Sequence, residues 1–239
     1  MHPQQPQGWG VPQPQPQQWG QPPQGMYVPP RKKSRAGCIV SIVLAVILTP
    51  ILLVGGGILF YLYQEYSEPV GDPPSNVALP AACDLVGKQT LQRLHTTNPD
   101  STSYETPEYG ESHCTWQQTL GKDGTNPRTL SVSVSTKTPA DEDSAAESQA
   151  DFDYMKENLA TQDNDPYRVS PLDGLGDDAF VAVRSTGWSG AELLILKGHT
   201  VATISYHGSD KGLFSNGPIP EAESEQAARQ VAEEIAAKL

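Results

Sequence analysis

The sequence predicts an α+β fold: a mainly antiparallel sheet packed against helices, preceded by a disordered tail and a single transmembrane helix. Three observations predict it. Residues 36–64 hold no charged side chain and are dominated by Ile, Leu, Val, Gly and Ala. Residues 130–135 alternate strictly between apolar and polar side chains, the period of a half-buried antiparallel strand. Residues 221–239 set Ala227, Val231, Ile235 and Leu239 at four-residue steps behind an acidic first turn, the pattern of an amphipathic helix.

The chain opens on a low-complexity tail, residues 1–35. Its first 30 residues contain nine Pro, nine Gln and four Gly, and no Asp, Glu, Lys or Arg. Trp9, Val11, Trp19, Met26, Tyr27 and Val28 carry too little apolar area to offset the entropy of ordering, so disorder with polyproline II character is expected. Pro3-Gln4-Gln5-Pro6 is formally a PxxP ligand, a match that this composition also generates by chance. The tail ends in a basic collar of Arg31, Lys32, Lys33 and Arg35.

About 20 residues at ~1.5 Å each cross a ~30 Å hydrocarbon layer, so residues 36–64 are long enough to span one. Pro50 and the glycines at 55–57 would weaken a soluble helix but are tolerated in a membrane helix. Phe60, Tyr61 and Tyr63 form an aromatic belt at its far end. The run exceeds the ~7–15 residues of a cleavable signal core, and no A-x-A-like site follows it, so an uncleaved signal anchor is expected. The collar precedes the helix, while Glu65, Glu68 and Asp72 follow it. The positive-inside rule therefore places the N-terminus in the cytoplasm and the C-terminal domain outside the cell membrane. The net charge of −12 divides into +4 before the helix and −16 after it. Membrane lipid is an expected partner, since the collar meets anionic headgroups. Nucleic acid is not, because no basic face replaces its counterions.

Residues 65–80, with Pro69, Gly71, Pro73 and Pro74, read as an extended stalk. Residues 81–239 have the length of one folded domain. Cys83 and Cys114 lie in this outside portion and Cys38 at the cytoplasmic edge of the helix, so topology pairs Cys83 with Cys114. Cys38 is either a lipid acceptor or a small apolar residue of the helix. Arg35-Ala36-Gly37-Cys38 and Pro80-Ala81-Ala82-Cys83 imitate lipoprotein sites, but neither has an apolar run directly upstream.

Within the domain, residues 84–94 suggest a short helix with Leu85, Leu91 and Leu94 on one face, and 98–107 a polar loop. Residues 114–120 alternate and put Cys114, Trp116, Gln118 and Leu120 on one face. The turn at 121–127 makes them a hairpin with 130–135. Residues 141–160 form an acidic helix with Phe152, Met155 and Leu159 at helical spacing. A tight turn at 173–178 feeds a strand at 179–183. Residues 192–196 are apolar on both faces, which places them centrally. Residues 200–207 add a strand with Ala202, Ile204 and Tyr206 inward.

Cys-Asp-Leu at 83–85, Cys114-Thr115-Trp116, an alternating strand, Gly174-Leu175-Gly176-Asp177 and a terminal amphipathic helix occur together. In this the domain resembles an actinobacterial family of secreted lipoproteins and membrane-anchored domains with a cysteine pair. The resemblance implies an extracytoplasmic domain related to the PsbP/Mog1-like sandwich, and it implies no catalytic residues. Family members are often lipid-anchored, whereas this chain carries a membrane helix.

No G-x-G-x-x-G, P-loop, H-E-x-x-H or G-x-S-x-G is present; Gly187-Trp188-Ser189-Gly190 has its first Gly misplaced and reads as a hairpin turn. His199 and His207 lie eight apart, ~26 Å along a strand, too far to share a metal. The acids at 141–153 and Asp163-Asn164-Asp165 lack the spacing of a calcium loop. No metal, cofactor or catalytic residue is expected. Three functions remain open. The first is a non-enzymatic binding or sensing domain for an envelope protein, wall polymer or small ligand. The second is an envelope enzyme with an unrecognised site, and the third an interaction protein working through its cytoplasmic tail.

Overall fold

The computed structural model describes residues 36–76, 78–138, 143–162, 167–184 and 189–239. The Gln/Pro-rich tail, the collar residues Arg31, Lys32, Lys33 and Arg35, Asp163-Asn164-Asp165 and the Gly187-Trp188 turn lie outside the described residues. The chain divides into two compact units, Met1–Ile51 and Leu52–Leu239. Helix α1, Ala36–Ser67, is continuous through Pro50 and the three glycines, and runs past Gln64 to Ser67. Its Val40–Ser67 portion is long and apolar enough to cross a membrane, and none of its apolar side chains is buried.

The remaining unit is built on one antiparallel sheet. Its strands are β1 (Asn98–Pro99), β2 (Tyr104–Thr106), β3 (Glu111–Gln117), β4 (Arg128–Thr136) and β5 (Arg168–Pro171), then β6 (Asp178–Arg184), β7 (Ser189–Lys197), β8 (Thr200–Asp210) and β9 (Gly217–Pro218). They lie in the order β1-β3-β4-β8-β7-β6-β5, with β2 on β3 and β9 on β8. Three helices pack on them: α2 (Lys88–Arg93), α3 (Ser144–Thr161) and α4 (Glu221–Ala236). This is the α+β class read from the sequence, with the hairpin β3–β4 where alternation put it and β7 inside the sheet, as its two apolar faces predict.

Several details differ. The helix expected at 84–94 is a 3₁₀ turn at Ala81–Leu85 followed by α2, because Val86 and Gly87 adopt extended angles between them. The polar loop expected at 98–107 contains β1 and β2, whose pairing is dictated by the edge of β3 rather than by their own composition. β3 ends at Gln117, so Gln118 and Leu120 do not continue its inner face. Gln118 instead turns its amide nitrogen to Asn126 O at 2.6 Å, and Leu120 is exposed.

Alternation gives the sheet two faces with separate cores. On the first face, Cys114, Trp116, Leu130, Val132, Leu193 and Ile204 pack against Ala227, Ala228, Val231, Ala232 and Ile235 of α4. The small alanines let the helix approach the sheet closely. The 3₁₀ turn and α2 add Ala82, Val86, Leu91 and Leu94 to the same core. On the second face, Phe180, Ala182, Leu194, Leu196 and Val201 pack against Phe152, Met155 and Leu159 of α3. Phe152 meets Phe180 edge-on at 5.1 Å. β6 and β7 are thus covered on both sides, which explains why residues 193–196 are apolar without alternation.

The segment after α1 lies along the domain. Asp72 N–H donates to Gln118 O (3.1 Å), and Asp72 O accepts from Leu120 N–H (2.9 Å). The Asn98 side chain accepts from Ser75 N–H (2.8 Å) and donates to Pro73 O (3.0 Å).

Candidate functional site

The second sheet face changes character halfway across. α3 covers the apolar half over β5–β7 and the near side of β8. Beyond it the register brings polar side chains into rows. His113 pairs with Ser133 and Ser133 with Thr203; Thr115 pairs with Ser131, Ser131 with Ser205, and Ser205 with Glu192. Strand alternation aims all of these away from the α4 core. Leu130, Val132, Ala202 and Ile204, the residues between them, are buried on the first face.

Where the hydroxyl rows meet α3 they floor an open groove of ≈ 280 Å³. Ser133, Ser135 and Thr203 form its floor, with Val201 and Met155 as an apolar strip and Tyr154 on the wall. The Tyr154 side chain is 70% exposed. Lys137 Nζ closes one end by pairing with Asp151 of α3 at 3.0 Å, and the bond to Asp151 raises the Lys137 pKa. Ser148 Oγ fixes α3 by donating to His199 O at 3.0 Å. The floor hydroxyls of Ser133, Ser135 and Thr203 have no partner among the described residues, although each is half-buried. Half-burial without a partner leaves them free to bond a molecule in the groove.

Deeper on the same face lies a titratable cluster. Tyr167 Oη donates to Glu192 Oε1 at 3.3 Å, and the Arg184 guanidinium sits 5.0 Å above the Tyr167 ring. Burial pushes the Glu192 carboxyl above its ordinary value, against the opposing effects of the Tyr167 bond and the Arg184 charge. Burial lowers the His207 pKa, and the Arg184 charge lowers it further. Gly190, opposite His207 on the neighbouring strand, leaves room for its ring; a Cβ there would run into the imidazole. Across the sheet, His113 Nε2 lies 2.9 Å from Thr115 Oγ1 and its ring stacks on Tyr104 at 5.3 Å. Burial lowers the His113 pKa as well. The face therefore offers hydroxyls, an aromatic ring and a carboxyl group inclined to hold its proton.

The residues singled out from the sequence fall elsewhere. Cys83 and Cys114 are bonded to each other, with Cα atoms 5.2 Å apart, and both are buried in the first-face core. They brace the 3₁₀ turn against β3 and take no part in the groove. His199 lies in the turn before β8, not on the strand, and its carbonyl rather than its ring is used. Among the described residues no group of three His, Cys, Asp or Glu side chains gathers as a metal site. Two acids of α3 make local bonds: Asp151 with Lys137, and Asp153 with Gln149 at 3.2 Å. The motif Gly174-Leu175-Gly176-Asp177 is structural. Gly174 and Gly176 have φ of +81° and +76°, and Asp177 Oδ2 accepts from Gly198 N–H at 2.6 Å, joining this turn to the β7–β8 turn.

The groove itself is absent from the sequence reading. Its signal was the run of small hydroxyl residues, Ser131, Ser133 and Ser135, on the outward positions of β4. Nothing local says whether a helix covers such a row. No family model, curated protein or solved structure matches the chain.

Proposed function

We propose that the chain is a single-pass membrane protein that presents a disulfide-closed binding domain outside the cell membrane. We further propose that the groove beside α3 takes a polyhydroxylated ligand, a saccharide unit of an envelope polymer. The observation that carries the ligand reading is the set of hydroxyls of Ser133, Ser135 and Thr203, without partners among the described residues, on a groove that the exposed Tyr154 also lines. Sugars present alternating donors and acceptors on their edges and apolar C–H faces that rest on aromatic rings. A site with a few placed polar groups and one ring fits both features. The volume suits one or two sugar rings rather than a large cofactor. The apolar α1, the collar before it and the acidic domain after it support the anchored topology. The motifs at Cys83–Leu85, Cys114–Trp116 and Gly174–Asp177 support placing the domain beside the anchored and lipid-linked domains that it resembles.

Ligand binding is tested by thermal unfolding of the detergent-solubilised full chain with linear N-acetylglucosamine, galactose and arabinose oligosaccharides. A rise in midpoint that Thr203→Val and Tyr154→Ala both remove supports the reading. No shift with any of them overturns it. Topology is tested by protease digestion of intact cells; protection of the C-terminal domain overturns the outward orientation.

A further inference from the structure

The loop between β8 and β9 carries two large apolar side chains that no other described residue covers. Leu213 is 59% exposed and Phe214 is 89% exposed. Exposed apolar side chains scattered singly are ordinary; here two adjacent ones stand together at a loop tip beside the end of the apolar helix. The loop is held in shape: Lys211 N–H donates to Asn126 Oδ1 at 3.0 Å, and Gly212 packs so tightly on Ser215 O that a Cβ would collide with it. The ring is therefore displayed by a built turn.

The same loop is fastened to the end of α1. Lys211 Nζ donates to Glu68 O at 2.8 Å and to Glu65 O at 3.4 Å, capping carbonyls that the helix end leaves without partners. Glu65 is the first charge after the apolar run, directly after Phe60, Tyr61 and Tyr63. Aromatic belts sit at headgroup depth, so this is the level at which a spanning helix leaves the bilayer. Phe214 lies three residues, at most ~11 Å of backbone, from Lys211, on the loop that is fastened to the end of α1. The domain's negative charge repels an anionic surface, and the uncharged Leu213 and Phe214 escape that repulsion.

We propose that Leu213 and Phe214 form an interfacial wedge that inserts into the headgroup–acyl boundary of the outer leaflet beside the end of α1, pinning the domain to the membrane surface. The wedge rests on the reading of α1 as a membrane span. It acts as interfacial apolar residues do, burying a few ångströms of side chain at the boundary, and with the Lys211 clamp it gives the domain two points of attachment.

The test uses the full chain in phosphatidylcholine vesicles, in a Cys38→Ser background, spin-labelled at Phe214→Cys or at Tyr109→Cys. Tyr109, 71% exposed, is the aqueous reference. Paramagnetic accessibility to oxygen against a water-soluble nickel chelate reports depth. The wedge requires the label at 214 to be shielded from the chelate and open to oxygen, with the label at 109 open to the chelate. Equal chelate access at both sites, in protein that floats with the vesicles, overturns the wedge and leaves the span standing. Shielding of 214 from both reagents means that protein covers it, which also overturns the proposal. Failure of the chain to float overturns the span and the wedge together.

Discussion

The carboxylate of Glu234 on α4 accepts a hydrogen bond of 2.7 Å from the backbone N–H of Gly87, 147 residues earlier in the chain. Gly87 is the N-cap of α2. In a capping box a Glu of the same helix satisfies this N–H; here a distant helix supplies it. Lys238 completes the clamp by donating to Leu85 O at 2.8 Å. Glu234→Ala is expected to lower stability by about 1.5–3 kcal/mol, the range for a hydrogen bond to a charged group. Glu234→Gln, which keeps an acceptor, should cost less. Gly87→Ala should cost at least as much as Glu234→Gln, because its Cβ would lie 2.6 Å from Glu234 Oε1. Denaturant titration in detergent checks all three; equal stability of Glu234→Ala and the parent would refute the clamp.

The Cys83–Cys114 bond joins residues 31 apart. Closing a loop of that length is worth roughly 3–4 kcal/mol in the chain-entropy model. Reduction of the full chain should lower the denaturant midpoint accordingly, and the Cys83→Ser/Cys114→Ser double variant should no longer respond to reductant. Because the bond lies on the α4 face, saccharide binding at temperatures where the reduced protein stays folded should be retained.

Gly174 and Gly176 share a positive φ but not their surroundings. A Cβ on Gly174 meets nothing within 4 Å, whereas one on Gly176 collides with Leu196 O. Gly174→Ala should therefore cost only the left-handed penalty of about 1–2 kcal/mol. Gly176→Ala should cost more, since the turn has to move off β7 and weaken the Asp177 bond to Gly198. Thermal midpoints of the two variants in the reverse order would contradict this account of the motif.

The titratable face makes stability depend on pH in a defined way. His207 and His113 are held below the ordinary 6.5 by burial. The stability they leave intact above pH 6.5 is lost as pH falls below that value, because the unfolded chain binds protons more readily. Glu192 is raised above 4.5, so its effect has the opposite sign: stability is full below pH 4.5 and is lost as pH rises through its folded value. His207→Gln should flatten the acid-side loss. Glu192→Gln should stabilise the domain near neutral pH and steepen the remaining loss below pH 6.5. Midpoints measured between pH 5 and 7.5 decide this; a His207→Gln profile parallel to the parent would sink it.

Legibility from the sequence followed period and length. β4, β8 and α4 were readable because each carries enough residues to show its own period, and β7 because its run is apolar on both faces. β5 and β9 were not, because four residues ending in Pro171 and the pair Gly217–Pro218 are too short to carry a period and are strands only because β6 and β8 offer them an edge. The helix at 84–94 broke in two because the backbone at Gly87 is committed to Glu234, a contact that local spacing does not record. The motifs that stood out in the sequence, the cysteines and the Gly-Leu-Gly-Asp turn, proved to be devices of the fold, while the groove is made of ordinary serines and threonines.

By itself, then, the sequence determined the class of fold, the apolar helix, the cysteine pair and the inward faces of β4 and β8, since all of these follow from composition and period along a contiguous stretch. The tertiary structure alone decided which half of the second sheet face α3 covers. It also decided which hydroxyls remain without partners and which loop meets the end of α1. Those depend on residues far apart in the chain arriving together, Ser133 beside Thr203, Tyr167 beside Glu192 and Lys211 beside Glu68. Packing that fixes such pairs is a property of the whole sheet and its helices, and no window of sequence contains it.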